Sequence, residues 1–307
     1  MTPRPATPLH RPMVPVSHAD LLEHPLNIVM STEMPDGRFQ STVVWFSHDG
    51  DDLLVNTMRE FQKARNLLAR PRATLLLMEP PDAERWIEVR GTVEIEEIGA
   101  QAHLDDLARA YAAVDRYFGE VVPAELADAE HPLICRVHPV AISTGPKRLP
   151  APAARRSPPH PLAAIRPCGD EVAVPASHRD LLERPVLAAL TTRLRTGAQT
   201  NPVWFSLDGN DVLVNTTLER SKGQNLLRDP RATALIVDPD DAGRWIEIRG
   251  DVDLSETGAL GHLDRLTRRY TRHPGYYGYV YPSSRRGSET RVIARIHPRR
   301  INCDAIH

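Results

Sequence analysis

The chain contains two copies of one sequence, and this duplication limits the possible folds more than any other feature. Ser17-His18 and Asp20-Leu21-Leu22-Glu23 recur 160 residues later as Ser177-His178 and Asp180-Leu181-Leu182-Glu183. After a one-residue deletion the offset becomes 159, and 31 of the 55 residues from 41 to 95 are identical in the second copy. At 307 residues the chain is also about twice the usual length of one domain. We therefore expect two tandem domains with the same fold.

Proline-rich stretches mark the ends of the two copies. Seven prolines fall between Pro146 and Pro167, and the first dozen residues are also rich in proline. Such segments do not form a packed element. The sequence thus predicts a disordered tail over residues 1–16, a first domain over 17–145, a linker over 146–170 and a second domain over 171–307.

Within each copy the apolar spacing predicts about six short strands joined mostly by hairpins. It also predicts a helix over residues 61–68, which ends before Pro71, and a helix over 100–112. Ser17 and Ser177 are each expected to cap a short helix at the start of a copy. Many short strands with few helices favour a mainly β fold, in which each copy forms a small β-barrel with peripheral helices.

Charge and cysteine content exclude several kinds of partner. The 38 Lys and Arg residues nearly balance 40 Asp and Glu residues, so we expect neither a nucleic-acid nor a membrane partner. No apolar run is long enough for a membrane span or a signal peptide, which predicts a cytoplasmic protein. Neither the three cysteines nor the recurring histidines have metal-binding spacing, so no metal site is expected and the thiols are read as inert.

Lysine is rare and its positions are informative. Only Lys63, Lys147 and Lys222 occur beside 35 arginines, and Lys63 and Lys222 are equivalent in the two copies. A compact ammonium retained twice suggests a point-charge contact, although a solvated helix lysine is the plain alternative. The surrounding segment, residues 215–225, runs from a strand end into a helix start, a geometry that binds anions. There the N–H groups of the helix start, a hydroxyl from Thr216 or Ser221, and the cations Arg220 and Lys222 could together hold a phosphate.

The first copy keeps only part of this set. It retains Asn56, Thr57, Lys63 and Asn66 but has Phe61 where the second copy has Arg220. Residues 1–160 contain 17 basic and 22 acidic side chains, whereas the rest of the chain contains 21 basic and 18 acidic ones. The second copy is therefore the stronger candidate for anion binding.

The four tryptophans form two equivalent pairs, and core packing is the first expectation for each. Trp204 follows Pro202 and Val203 on a strand that precedes the anion-binding segment. A flat ligand ring lying across this stretch is the second possibility.

The order of Val203-Trp204-Phe205, Asp208-Gly209, Asn215-Thr216, Arg220-Ser221-Lys222 and Ile246-Glu247-Ile248-Arg249-Gly250 resembles the pyridoxamine 5'-phosphate oxidase-like split-barrel flavoproteins. More narrowly, it is similar to their actinobacterial branch that uses the deazaflavin coenzyme F420. The resemblance implies a six-stranded split barrel that pairs with a second barrel and binds cofactor in the groove between them. In this chain the two tandem barrels would form an intramolecular pseudo-dimer, with further homo-oligomerisation left open.

The resemblance also assigns roles to residues of the second copy. Lys222 and Arg220, with Asn215, Thr216 and Asn225, would hold the cofactor phosphate, while Pro202, Val203 and Trp204 would line the ring. Arg193, Arg195, Arg285 and Arg286 are candidates for a longer anionic tail. The first copy lacks the arginine and the proline, since Phe61 and Val43 stand there.

The reaction implied is hydride transfer between F420 and a small organic molecule, which requires mainly that ring and acceptor be held close together. The sequence assigns no catalytic residue, although Tyr270 or one of the tyrosines from 276 to 281 could donate a proton. Three alternatives stay open: FMN in the same site, haem bound through His262 or His297, and a cofactor-binding protein without catalysis.

Overall fold

The computed structural model describes residues 12–79, 85–145 and 172–304, and each copy in it forms one antiparallel seven-stranded sheet. The strand order of the first sheet is β2-β1-β5-β6-β7-β4-β3, and that of the second is β10-β11-β14-β13-β12-β8-β9. In each copy the two edge strands are consecutive in the chain, so the sheet curls into a split barrel around an apolar core. The fold is mainly β and duplicated in tandem, as the sequence predicts.

The elements of the first copy start with a 3-10 helix over Val16–Leu22. Its strands and helices are β1 (Ile28–Glu33), β2 (Phe39–Val44), β3 (Phe46–Asp49), β4 (Asp52–Met58), α1 (Gln62–Ala69), β5 (Arg72–Met78), β6 (Trp86–Glu96), α2 (Ala100–Ala112), a 3-10 helix (Ala124–Asp128) and β7 (Pro132–Gly145).

The second copy repeats this order, with an α-helix in place of the first 3-10 helix. It consists of α3 (Ala176–Glu183), β8 (Ala188–Leu194), β9 (Gly197–Val203), β10 (Phe205–Asp208), β11 (Asp211–Thr217), α4 (Ser221–Arg228), β12 (Arg231–Asp238), β13 (Asp241–Ser255), α5 (Ala259–Thr271), a 3-10 helix (Ser283–Arg285) and β14 (Arg291–Cys303).

The expected helix caps at the start of each copy are wrong. The N-cap residues are Pro15 and Pro175, and neither makes a side-chain capping bond. Ser17 and Ser177 lie inside the helices and bond instead to the adjacent His18 and His178. The carbonyl oxygens of Pro15 and Pro175 accept the first helical bonds, from the N–H groups of His18 and His178, so each helix begins before its serine.

The predicted linker over 146–170, Cys168 and most of the predicted tail over 1–16 lie outside the described residues. Within the described part of the chain, no helix combines the length and the apolar character that crossing a bilayer requires.

The two barrels pack against each other through β1, β2, β5 and β6 of the first copy and β8, β9, β12 and β13 of the second. At the centre of this interface the hydroxyls of Ser31, Ser41, Thr191 and Thr200 bond to one another at 2.9–3.1 Å. These four residues are equivalent in pairs, so the cluster lies on an approximate two-fold axis that relates the copies.

Two buried glutamates reinforce the interface on either side of this cluster. The backbone N–H of Thr200 donates to Glu88 at 2.6 Å, and that of Ser41 donates to Glu247 at 2.7 Å. Around them Val29, Leu76, Ala189, Leu235 and Trp245 form an apolar layer between the barrels. The contacts across the interface thus include both burial of apolar surface and charge-assisted hydrogen bonds.

Candidate functional site

The start of α4 in the second copy has the geometry of an anion-binding site. Its N-cap residue, Arg220, is extended and makes no side-chain capping bond. The first turn lies so close to the end of β11 that a Cβ on Gly223 would come within 2.1 Å of the carbonyl oxygen of Thr217. The first copy has Ala64 at the position of Gly223. Its helix therefore does not approach β4 in the same way.

Three polar side chains surround this helix start. Arg220 is 43% exposed, lies 3.8 Å from Glu289 and stacks over the ring of Tyr281. Ser221 is exposed, and Nε2 of Gln199 donates to its hydroxyl at 2.9 Å. Lys222 is half-buried, one turn before Leu226 of the barrel core. Arg220, Ser221 and Lys222 thus lie at one helix end, a position that favours anions.

Asn225 holds this helix against β8 and β9. Its side chain is fully buried, and Nδ2 donates to the hydroxyl of Thr192 at 3.1 Å and to the side-chain oxygen Oε1 of Gln199 at 3.0 Å. Gln199 in turn holds Ser221. Asn225 is therefore placed to position Gln199 and Ser221. Asn66 of the first copy makes the same bonds to Thr32 and Gln40.

The side chains expected to line a ring lie on different faces. Val203 is buried in the second barrel core. Pro202 is half-buried on β9 opposite Ala189. Trp204 stacks on Tyr270 with ring centres 5.4 Å apart and meets the edge of Tyr276. Because Trp45 stacks on Tyr111 in the same way, this packing is common to both copies.

Asn215 connects β11 to the start of α5, and the two threonines that follow it are buried. Nδ2 of Asn215 donates to the carbonyl oxygen of Ala259 at 2.8 Å, as Asn56 does to Ala100. Thr216 and its counterpart Thr57 are buried. The hydroxyl of Thr217 is also buried, and it has no hydrogen-bond partner among the described residues.

Sequence reasoning missed a hydrogen-bonded network of Tyr277, Glu289 and Arg291. The Tyr277 hydroxyl donates to Glu289 at 3.0 Å and accepts from Nε of Arg291 at 3.0 Å. Arg291 is buried and also binds Glu289 at 2.9 Å. Burial raises the pKa of Tyr277, so its phenol stays protonated at neutral pH. Tyr281 stacks on Tyr276, and the guanidinium of Arg220 lies over the Tyr281 ring.

The equivalent region of the first copy is an apolar cluster. It is formed by Met58, Leu104, Ala108, Tyr117, Trp45, Phe61, Val114, Phe118, Val121 and Val122. Five second-copy residues that build the polar site, Thr217, Arg220, Tyr277, Tyr281 and Arg291, correspond to Met58, Phe61, Phe118, Val122 and Pro132. Comparing the two copies position by position is the sequence signal that would have identified Arg291 and singled out Tyr277 from the tyrosines at 276–281.

Lys63 lies beside this apolar cluster, 5.9 Å from the centre of the Phe61 ring. It forms no ion pair among the described residues, and burial lowers its pKa to about 8. The nearby thiol of Cys135 is buried in the first barrel core, which raises its pKa to about 12 and keeps it protonated.

The buried ammonium predicts a stabilising substitution. At pH 7 Lys63→Met should raise the free energy of unfolding by about 1–2 kcal/mol, because the folded protein no longer has to bury a charge. Since the folded pKa of Lys63 is lower than the unfolded one, native stability rises with pH between about 8 and 10.5. The advantage of the variant should therefore shrink over that range in urea unfolding curves. Arg65→Met, an exposed position on the same helix, is the control and should change stability by less than about 0.5 kcal/mol.

The family model for pyridoxamine 5'-phosphate oxidase matches residues 16–142 and again residues 174–302. The chain belongs to this family. The two matches together cover most of the sequence, and they coincide with the two barrels. No curated protein matches the chain.

Three solved structures similar to this member of the pyridoxamine 5'-phosphate oxidase family each align with less than half of it. An F420 reductase is 34% identical over 42% of this chain and 98% of its own, with a TM-score of 0.37. A putative pyridoxamine 5'-phosphate oxidase from Listeria innocua is 20% identical over 41% of this chain and 94% of its own, with a TM-score of 0.33. The haem storage protein HutZ from Vibrio cholerae is 14% identical over 43% of this chain and 94% of its own, with a TM-score of 0.32.

The two histidines considered as haem ligands are both engaged with protein groups. His297 lies between Asp211 at 3.1 Å and Asp253 at 3.0 Å, one on each ring nitrogen. His262 is buried and contacts Ser206 at 3.0 Å and Asn215 at 3.5 Å. Burial, with nearby arginines, lowers the pKa of His262 to about 4. Both rings are thus held in place by side chains of the second barrel.

Proposed function

We propose that this protein is an F420-dependent oxidoreductase that binds one cofactor per chain, at the second copy. One observation carries the proposal: the second copy has a polar, basic site where the first copy has an apolar core. The choice of F420 over FMN rests on the sequence resemblance to the F420-using branch. We further infer that the two barrels act as an intramolecular pseudo-dimer, supported by the hydrogen bonds that join them.

The residues present fit a phosphorylated flat cofactor. Arg220 and Lys222, with the uncapped start of α4, would hold the phosphate, and the exposed hydroxyl of Ser221 would accept or donate a further bond. The buried, unpartnered hydroxyl of Thr217 marks a polar position that a ligand group could satisfy. Pro202 and the backbone of Val203 would border the ring.

When bound, F420 supplies the hydride, and the contribution of the protein is placement. The packed rings of Trp204, Tyr270 and Tyr276 would limit how the acceptor lies against the cofactor ring. Tyr277 keeps its proton between Arg291 and Glu289, so it would offer the acceptor a fixed polar contact. Arg285 and Arg286 follow the tyrosines at 276–281 in the sequence and are candidates to bind the anionic tail of the cofactor. Arg193 is already paired with Glu33 and Asp229 across the interface.

The experiment is a binding titration of the purified full chain with F420, FMN and haem, followed by fluorescence or absorbance. We expect one equivalent of F420 per chain, bound at least tenfold more tightly than FMN. Hydride transfer is then measured with reduced F420 and a panel of unsaturated small molecules. Two equivalents per chain would contradict the proposal that the first copy binds no cofactor. Preference for FMN or haem would contradict the choice of cofactor, and binding without turnover would indicate a protein that only carries it.

A further inference from the structure

The two copies have opposite charge in one pair of equivalent segments. Residues 100–131 of the first copy contain seven acidic and two basic side chains, whereas residues 259–290 of the second contain two acidic and six basic ones. Outside these segments the first 160 residues contain 15 basic and 15 acidic side chains, and the rest of the chain contains 15 basic and 16 acidic ones. The charge difference between the two halves is therefore located almost entirely in α2, α5 and the loops that follow them.

Three arginines of the second copy, Arg265, Arg268 and Arg272, form a surface that we call the basic face. All three are exposed, and their spacing of three and four residues places them on one side of α5. None of them forms an ion pair among the described residues. Elsewhere in the second copy arginines are paired with carboxylates, as Arg244 is with an aspartate at 2.8 Å and Arg295 at 2.9 Å. The positive charge of the basic face is thus available to a partner.

The equivalent surface of the first copy is an acidic face, formed by Asp106, Asp115 and Glu120. Asp106 occupies the position of Arg265. All three acids are exposed. Asp106 pairs with Arg109 of its own helix, and Nη1 of Arg109 also donates to the backbone oxygen of Asp115 at 3.0 Å. Asp115 and Glu120 have no ion pair in the part of the chain that the structure describes, so the face keeps a net negative charge.

Both faces lie on the outside of the paired barrels. α2 packs on β4 and β7, and α5 packs on β11 and β14. The interface between the barrels is formed by other strands of each sheet. Each face is therefore fixed on its own barrel, away from the other copy, and one chain cannot bring its own two faces together.

Each face also has an exposed apolar side chain. Tyr279 is 60% exposed and stacks on His273 at the end of the basic face, with ring centres 5.6 Å apart. Ile98 is 95% exposed and lies just before α2. The equivalent positions in the other copy are polar, namely Glu120 and Thr257. Apolar side chains surrounded by charged ones are typical of protein–protein interfaces.

We propose that the basic face of one chain binds the acidic face of a second copy of this chain, in a head-to-tail contact. Opposite charge attracts these two faces, whereas two basic or two acidic faces repel each other, so the contact is selective. A pair of chains still has one free face of each kind, and association therefore continues to a ring or a filament. The proposal goes beyond the cofactor site and does not rest on the proposed function.

The first test is the mass of the cofactor-free full chain, measured by light scattering at two salt concentrations. The screening length is about 30 Å at about 10 mM salt and about 3 Å at about 1 M. We expect the mass of two or more chains at the lower concentration and of one chain at the higher. A single-chain mass at low salt, or association that salt does not weaken, would overturn the proposal.

The second test uses two variants that exchange residues between the copies. Arg265→Asp with Arg272→Ala gives the basic face its first-copy residues, and Asp106→Arg with Ala113→Arg gives the acidic face its second-copy residues. Each variant alone should associate at least tenfold more weakly than the unaltered chain. An equimolar mixture still contains one intact face of each kind, so it should form a two-chain complex within about threefold of the original affinity. Arg65→Asp, at an exposed position on α1, is the control and should associate normally.

The mixture also shows that both variants are folded, because only folded chains present the intact faces. The proposal is wrong if either variant alone associates like the unaltered chain, or if the mixture stays at the mass of one chain. It is also wrong if Arg265→Asp with Arg272→Ala leaves the mass unchanged and weakens F420 binding instead, since the basic face would then bind the cofactor.

Discussion

Glu247→Ala is expected to destabilise the protein by about 3–5 kcal/mol, the usual cost of removing one partner from a buried ion pair. Glu247 is 1% exposed, and its Oε2 accepts from Nη2 of Arg249 at 2.7 Å and from Asn302 at 2.6 Å. Its other oxygen accepts the backbone N–H of Ser41 in the opposite barrel. Without the carboxylate, the buried guanidinium of Arg249 and an N–H at the interface lose their partners.

Glu88 offers a matched control for this prediction. It accepts the N–H of Thr200 in the equivalent way, but Arg90 is 3.7 Å from it and the Arg90 side chain is 30% exposed. Water can therefore reach Arg90 after substitution, and Glu88→Ala should cost roughly 1–3 kcal/mol. Guanidinium unfolding curves of both variants, with their m-values, measure the difference. Equal losses would show that the Arg249 pair adds nothing beyond the shared backbone bond.

Lys222→Ala should weaken F420 binding about 10- to 100-fold, because a charge-assisted bond to phosphate contributes about 1.5–3 kcal/mol. The same substitution at Lys63 should change affinity less than about twofold, the expectation for a lysine without a ligand contact. Fluorescence titration of both variants measures this contrast. Unchanged melting temperatures would confirm that Lys222→Ala leaves the fold intact.

Arg220→Phe gives an independent check, since it places the first-copy residue in the second-copy site. It should reduce F420 affinity about tenfold, in keeping with the loss of one exposed charge-assisted contact. Equal losses at Lys63 and Lys222 would mean that both helices bind cofactor. No loss at Lys222 or Arg220 would remove the phosphate assignment altogether.

Much of the fold could be predicted because its signals are local or repeated. The spacing of Leu104, Leu107 and Tyr111 predicts a helix over 100–112, and α2 has those bounds. The duplication predicts the same barrel twice, since homologous sequences adopt one fold. The helix starts were predicted wrongly because Pro15 and Pro175, and not Ser17 and Ser177, occupy the N-cap positions.

The candidate site was harder to predict because its residues come together only in three dimensions. Lys222, Arg220 and Ser221 are close in sequence, so their shared helix end was recognisable. Arg291 lies 14 residues beyond Tyr277 and comes from a different element, and no local pattern joins them. Likewise, nothing near Glu88 in the sequence indicates that it binds Thr200, 112 residues away.

The four central hydroxyls show what joining two barrels in one chain allows. In a dimer of identical subunits every substitution occurs twice around the axis, and both sides must tolerate it. Here Ser31 and Ser41 face Thr191 and Thr200, so the two sides of the axis differ. Within one gene, a substitution can therefore alter one copy and leave the other unchanged, which a dimer of identical subunits does not allow.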